Sequence, residues 1–388
     1  MKIGIITHYY HSFNYGGNLQ AYALCKYLNQ QYDAEQICYI NKNAKPKSRK
    51  QEIREFGIFK FIKKVINWGI RKGATFFRKA KDKRISGDLA KRKEAILSFN
   101  HSIPHSQECY DAVTIQQCEQ IYDVFITGSD QVWHPDAVNI AYLLNFVHDK
   151  RKISYAASLA VSELSETYQK IIQDSLKDYH AISVREKTGA KLLQPLFNFP
   201  VQLVVDPVFL LEKGDWEEIA SDRIIEKPYL FCYFLGDNKK ARQLAKQYAV
   251  EHNLILVTLP FLNGDYRSCD DKFGDIKLFD VTPNDFISLI QYASCVFTDS
   301  FHATAFSFIF EQQFIVFNRN KSKKLNSRII DILKLFDLSE YFCDIHQRCN
   351  MKYIEDLPKI DYTTSRSNYE LQKDKSKYFL EESLGNRK

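Results

Sequence analysis

The stretch Met1-Lys2-Ile3-Gly4-Ile5-Ile6-Thr7, followed by Asn14-Tyr15-Gly16-Gly17-Asn18, decides the fold. The apolar run 2–7 reads as a buried first strand. The glycine-containing stretch reads as a loop. Residues 18–31 then read as a helix, with apolar side chains at 21, 24, 25 and 28. Residues 37–40 are the next strand. Strand, glycine loop, helix, strand is the opening of a parallel α/β unit.

The alternation continues outward from there. Strands are predicted over 122–127, 152–157, 180–184 and 203–205, with a helix across 163–177. A second series follows Asp206-Pro207. Its strands are 229–235, 254–259, 295–298 and 314–317, and its helices are 238–251 and 303–310. A further helix starts near Thr282, where Thr-Pro-Asn-Asp supplies a cap, a proline at the first helical position and an acid in the first turn. The expected architecture is α/β, two Rossmann-like domains facing a cleft. The expected boundaries are 1–206, 207–345 and a polar tail over 346–388. Ligands bind at the carboxyl ends of such strands.

Composition excludes several classes. The chain has 388 residues, 45% apolar and 26% charged, which suits a buried core and rules out a disordered or collagen-like chain. The net charge of +7 is unevenly spread. Residues 42–93 hold nineteen Lys/Arg against four acids, a local +15, so the remainder of the chain carries −8. Nine cysteines occur without CxxC or Cys/His zinc spacing, which predicts reduced core thiols and no metal site. The N-terminal apolar run is too short for a signal peptide, and no run approaches the roughly 20 residues of a membrane span. A cytoplasmic protein is expected, with no nucleic-acid partner, because no nucleic-acid motif accompanies the basic segment.

Four motifs can carry chemistry. Gly16 and Gly17 open backbone N–H groups to an oxyanion at a helix start, or simply form a tight turn. Thr127-Gly128-Ser129-Asp130-Gln131-Val132-Trp133 ends a strand. Asp130 suits a sugar hydroxyl and Trp133 a sugar ring, or the two cap a helix and the core. Arg185, after Ile182-Ser183-Val184, suits a carboxylate or phosphate, or pairs with Glu186. His302, in Thr298-Asp299-Ser300-Phe301-His302, sits at a strand-to-helix turn, where an imidazole pKa is lowered.

Together these motifs resemble the polysaccharide pyruvyl transferase family. The matching stretches are Asn14–Gln20, Gly128–Trp133, Ile182–Glu186, Val205-Asp206-Pro207-Val208 and Thr298–His302, in family order. The resemblance implies a GT-B-type, glycosyltransferase-like fold. It implies phosphoenolpyruvate as donor and co-substrate, with no other cofactor, and a sugar as acceptor. The product would be a pyruvate ketal bridging two sugar hydroxyls, with phosphate released. It implies His302 as general acid and Arg185 as a holder of the donor's anionic groups. Ser300, Phe301, Gly16 and Gly17 are the other expected donor contacts, and Asn18, Asp130 and Trp133 the expected acceptor contacts. Ser300 stands where some relatives carry arginine, and Ala303 where many carry glycine. A nucleotide-sugar glycosyltransferase and a non-catalytic carbohydrate-binding protein are the alternatives on the same fold.

Residues 56–80 lie outside these motifs. Apolar or small residues recur at 58, 62, 65, 66, 69, 73, 76, 77 and 80, with Lys/Arg filling much of the rest. This is either a helix lying on an anionic membrane surface or an ordinary amphipathic helix with a solvated basic face. A lipid-linked oligosaccharide acceptor would suit the first.

Overall fold

The structure is a computed structural model that describes all residues except 41–85, 138, 262–266, 320–326, 348 and 386–388. The basic amphipathic stretch 56–80, read as either membrane-facing or an ordinary amphipathic helix, lies outside the described residues. Among the described residues, no helix is long and apolar enough to cross a membrane.

Seven parallel strands form the first sheet, in the order β3-β2-β1-β4-β5-β6-β7. These are β1 (Lys2–Ile6), β2 (Asp33–Tyr39), β3 (His105–Tyr110), β4 (Val124–Thr127), β5 (Arg151–Ala157), β6 (Ala181–Val184) and β7 (Val201–Leu203). Six parallel strands form the second sheet, in the order β10-β9-β8-β11-β12-β13. These are β8 (Tyr229–Tyr233), β9 (Ile255–Thr258), β10 (Ile276–Lys277), β11 (Cys295–Thr298), β12 (Phe314–Phe317) and β13 (Phe342–Cys343). The strand order reverses beside β1 in one sheet and beside β8 in the other, which marks the ligand crevice of a doubly wound fold. The GT-B-type arrangement expected from the sequence is the one observed.

The helices follow from local signals. Asn14 caps α1 (Tyr15–Leu28) by accepting the Gly16 N–H at 3.1 Å. The helix therefore starts three residues earlier than expected, and both glycines lie in its first turn rather than in a loop. Residues 86–102 form α2. Helices α3 (Glu166–Leu176), α4 (Lys187–Leu193) and α5 (Lys213–Ile219) complete the first series, and α6 (Lys239–Glu251) opens the second. Thr282 and Asp285 form a reciprocal capping box at α7 (Pro283–Gln291). Helices α8 (Phe301–Ile309), α9 (Ser327–Leu335), α10 (Met351–Glu355) and α11 (Tyr362–Leu384) complete the chain.

One apolar core runs continuously from the first unit into the second, and another fills the opposite face of the first sheet. Three devices tie the units together. Tyr15 stacks on Phe286 with ring centroids 4.9 Å apart and donates to the Val281 carbonyl. Arg92 of α2, from the basic segment, is buried and donates to the carbonyls of Pro260, Leu278 and Phe279. Helix α11 leans on both units. Tyr362 donates to the Gln312 carbonyl at one end, and Ser376 accepts the Val205 N–H further along. The expectation of reduced cysteines throughout is corrected. Cys343 and Cys349, with Cα atoms 5.1 Å apart, form a disulfide across a short turn.

Candidate active site

The site is built where strand ends meet helix starts. β11 ends at Thr298, whose hydroxyl accepts the Ser300 N–H at 3.0 Å. Ser300 then caps α8 by accepting the Ala303 N–H at 3.4 Å. This turn sends Phe301 and His302 toward the first unit. A methyl group at Gly16 would lie 1.9 Å from His302 Nδ1, so the ring sits directly on the start of α1 and only glycine leaves room for it. His302 Nε2 lies 3.8 Å from Asp206 Oδ2 and is buried with no hydrogen-bond partner among the described residues.

The first unit faces this histidine with carboxylates. Asp206 follows β7 and Asp130 follows β4. Arg185 bridges them, donating to Asp206 at 2.5 Å and to Asp130 at 2.9 Å. Its guanidinium lies over the Phe301 ring at 4.7 Å. Ser129 Oγ donates to the same Asp206 carboxylate at 3.1 Å. Asp130 adopts a left-handed backbone conformation, φ 68°, which the short polar side chain tolerates.

The second unit adds cations. Arg319, two residues beyond β12, donates to the Asp299 carbonyl at 3.1 Å. Arg328 of α9 approaches Asp130 to 3.8 Å. Both arginines line a cleft of about 310 Å³, together with His8, Asp130, Ser300 and His302. Phe301 borders it as well.

Burial dominates the electrostatics. It lowers the His302 pKa; Asp206 and Asp130 draw it back up, while Arg185 and Arg328 push it further down. The ligand-free ring is therefore neutral near pH 7. Burial also lowers Arg328 to about 10, reinforced by Arg185 nearby. Asp130 is the opposite case. Burial raises it, but Arg185, His302, Arg328 and His8 outweigh that and hold it well below the usual carboxylate range.

Several expected site residues are brought together and others are not. His302, Ser300, Phe301 and Asp130 border the cleft, and Gly16 lies against His302. Gly17 lies within α1, where a side chain would press on the His8 carbonyl at 3.0 Å. Arg185 is not open to a donor as expected, because both terminal nitrogens are held by carboxylates; nor does it pair with Glu186, whose Oε1 accepts from Ser158, Leu159 and Ala160. Trp133 does not face the cleft. It is fully buried and its indole N–H donates to the Tyr142 carbonyl at 3.2 Å. Asn18 is also internal: its amide donates to the Ser12 and Asn14 carbonyls and its oxygen accepts from Asn100. Sequence reasoning missed Arg319, Arg328 and His8, and quoted Asp206 without giving it a role. His8 and Arg319 each lie two residues beyond a strand's carboxyl end, the signal that could have found them.

Comparison with solved structures adds the fold relationship. The S. aureus MnaA–UDP structure is 13% identical, with 99% of this chain and 96% of that chain covered and a TM-score of 0.55. The UDP-GlcNAc 2-epimerase of Methanocaldococcus jannaschii is 9% identical, with 96% and 99% covered and a TM-score of 0.52. At these identities the likeness is one of fold alone. No curated protein matches the chain. The family model described as polysaccharide pyruvyl transferase matches residues 14–321. That span contains the Gly16 seat, Asp130, Arg185, Asp206, His302 and Arg319, so on the strength of this match over most of its length the chain belongs to the polysaccharide pyruvyl transferase family.

Proposed function

We propose that the protein transfers the pyruvyl group of phosphoenolpyruvate to two hydroxyls of a sugar, forming a cyclic ketal and releasing phosphate. One observation carries the proposal. His302 is a buried imidazole whose Nε2 has no hydrogen-bond partner among the described residues, seated in a cleft that also holds two arginines. Phosphoenolpyruvate bears a carboxylate and a phosphate, and Arg319 and Arg328 match that charge. They do so from the cleft that Ser300 also borders.

The neutral state of free His302 fits a general acid that is loaded by its substrate. A polyanionic donor beside the ring opposes burial and favours the imidazolium. The proton then goes to the donor's methylene carbon, which leaves C2 electrophilic toward a sugar hydroxyl. Arg185 serves as a positioning residue, since it fixes the Asp206 carboxylate beside the histidine. A lipid-linked acceptor fits the basic stretch 56–80, whose lysines and arginines would add on the order of 1 kcal/mol each near an anionic leaflet.

The test is phosphate release from phosphoenolpyruvate with a panel of synthetic glycosides, beside UDP release from UDP-sugars. Phosphate that appears only with a glycoside present supports pyruvyl transfer. UDP without phosphate overturns it. Co-sedimentation with phosphatidylglycerol vesicles at low salt tests the membrane element separately, and failure to pellet removes it.

A further inference from the structure

Ketal formation needs two kinds of proton transfer, one to the donor carbon and one from the acceptor hydroxyls. His302 answers only the first. We propose that His8 is the base that takes the proton from the attacking acceptor hydroxyl. This rests on the pyruvyl-transfer reading above.

The geometry favours His8 over the other groups in the cleft. It lies just past β1, half-buried, and lines the same cleft as His302, Asp130 and Arg319. Its ring packs against Tyr142 with centroids 4.3 Å apart, which limits its rotation. The Gln131 backbone hydrogen-bonds the ring. A carbonyl that holds one ring N–H fixes the tautomer and leaves the other nitrogen as an acceptor. His134 is worse suited. Its Nδ1 accepts the Asp136 N–H at 3.1 Å, so the neutral ring carries its proton on Nε2. Asp130 is worse suited too, because Arg185 makes its carboxylate a weak base. Burial lowers the His8 pKa, and Asp130 only partly reverses this, so the ring is unprotonated at neutral pH. The titratable and charged groups that face His8 or share its cleft are Asp130, Tyr142 and His134 from the first unit and His302, Arg319 and Arg328 from the second.

The step balances. The acceptor oxygen bonds C2 as its O–H breaks and its proton passes to His8. The C2–C3 π pair takes the proton of His302 and becomes a C–H bond. Phosphate leaves C2 with the C–O electron pair, and the second hydroxyl bonds C2. The second hydroxyl's proton departs on hydrogen phosphate. The proton on His8 returns through solvent to His302, so no net proton is gained or lost and nothing is oxidised.

The experiment uses the full chain, phosphoenolpyruvate and p-nitrophenyl glycosides, with kcat followed from pH 5 to 9 at saturating substrates. Wild type is expected to lose activity toward low pH as His8 is protonated. His8→Gln is expected to lower kcat by about 10²–10⁴-fold, to abolish that acidic limb, and to keep the donor KM within about twofold. A fall of less than tenfold, or an acidic limb that persists in the variant, overturns the inference. A wild-type kcat that stays flat to pH 5 overturns it even if His8→Gln does not fold. Wild type that releases no phosphate with any glycoside overturns pyruvyl transfer itself. Active wild type with an equally active variant overturns only His8.

Discussion

The two helix starts that meet in the cleft are built alike and used differently. Each follows a strand, and each is capped by a polar side chain, Asn14 for α1 and Ser300 for α8. The start of α1 is emptied of side chains by Gly16, so it is a seat. The start of α8 carries His302, so it is the occupant. The charges behind them differ in the same sense. Behind α1 stand Asp130 and Asp206, both held by Arg185. Behind α8 stand Arg319 and Arg328. Neither unit alone holds both the histidine and the carboxylate beside it.

His302→Ala removes the occupant. Phosphate release is expected to fall by about 10²–10⁴-fold, with the melting temperature close to wild type, because alanine suits a helix first turn. A variant that retains more than a tenth of wild-type turnover would break the comparison at its centre. Asp206→Asn strikes the other side. It removes one of the two carboxylates that hold buried Arg185 and leaves Asp130 as the other, which is expected to destabilise the fold by about 1.5–3 kcal/mol, read as a fall in melting temperature. An unchanged melting temperature would mean that Asp130 alone satisfies the guanidinium.

Gly16→Ala fills the seat without touching either charge set. The new methyl must displace the His302 ring, and a misplacement of about 1 Å is expected to lower kcat by about 10²-fold. Its readout is kcat with a nearly unchanged donor KM. Arg319→Lys sharpens the contrast between the arginines. It is expected to raise the donor KM by about tenfold, since an ammonium does not reproduce a planar fork. Trp133→Phe has the smallest expected effect, about 1 kcal/mol of stability from one lost hydrogen bond. The acceptor KM should not move, and a raised one would return Trp133 to the site.

The sequence conveyed the second sheet well. Strands β8, β9, β11 and β12 are short apolar runs buried along most or all of their length, and Thr282-Pro283 marks a helix start unambiguously. It concealed β3, because His105-Ser106-Gln107-Glu108 belongs to a polar edge strand. It concealed β10 and β13, each only two residues long. Gly16 and Gly17 read as a loop, yet the Asn14 cap starts the helix ahead of them. At the site, the strand-end rule found Asp130, Arg185 and His302. It did not reveal that Arg185 faces two carboxylates, because the partners lie 21 and 55 residues away. Burial misled in the same way at Trp133, since residue type alone does not distinguish a ring that lines a cleft from one that fills a core.

Helix α11 restricts how the molecule can move. At about 1.5 Å per residue its 23 residues span about 35 Å. Arg366 pairs with Glu311 on the second unit, Tyr369 donates to the Phe209 carbonyl midway, and Ser383 accepts from Arg151 on the first. A rod fastened to both units opposes their separation. Tyr15 on Phe286 and Arg92 on the Pro260, Leu278 and Phe279 carbonyls join the same two units from other elements. The seat of His302 on Gly16, a contact between the two units, is therefore kept by joints that lie outside the cleft lining.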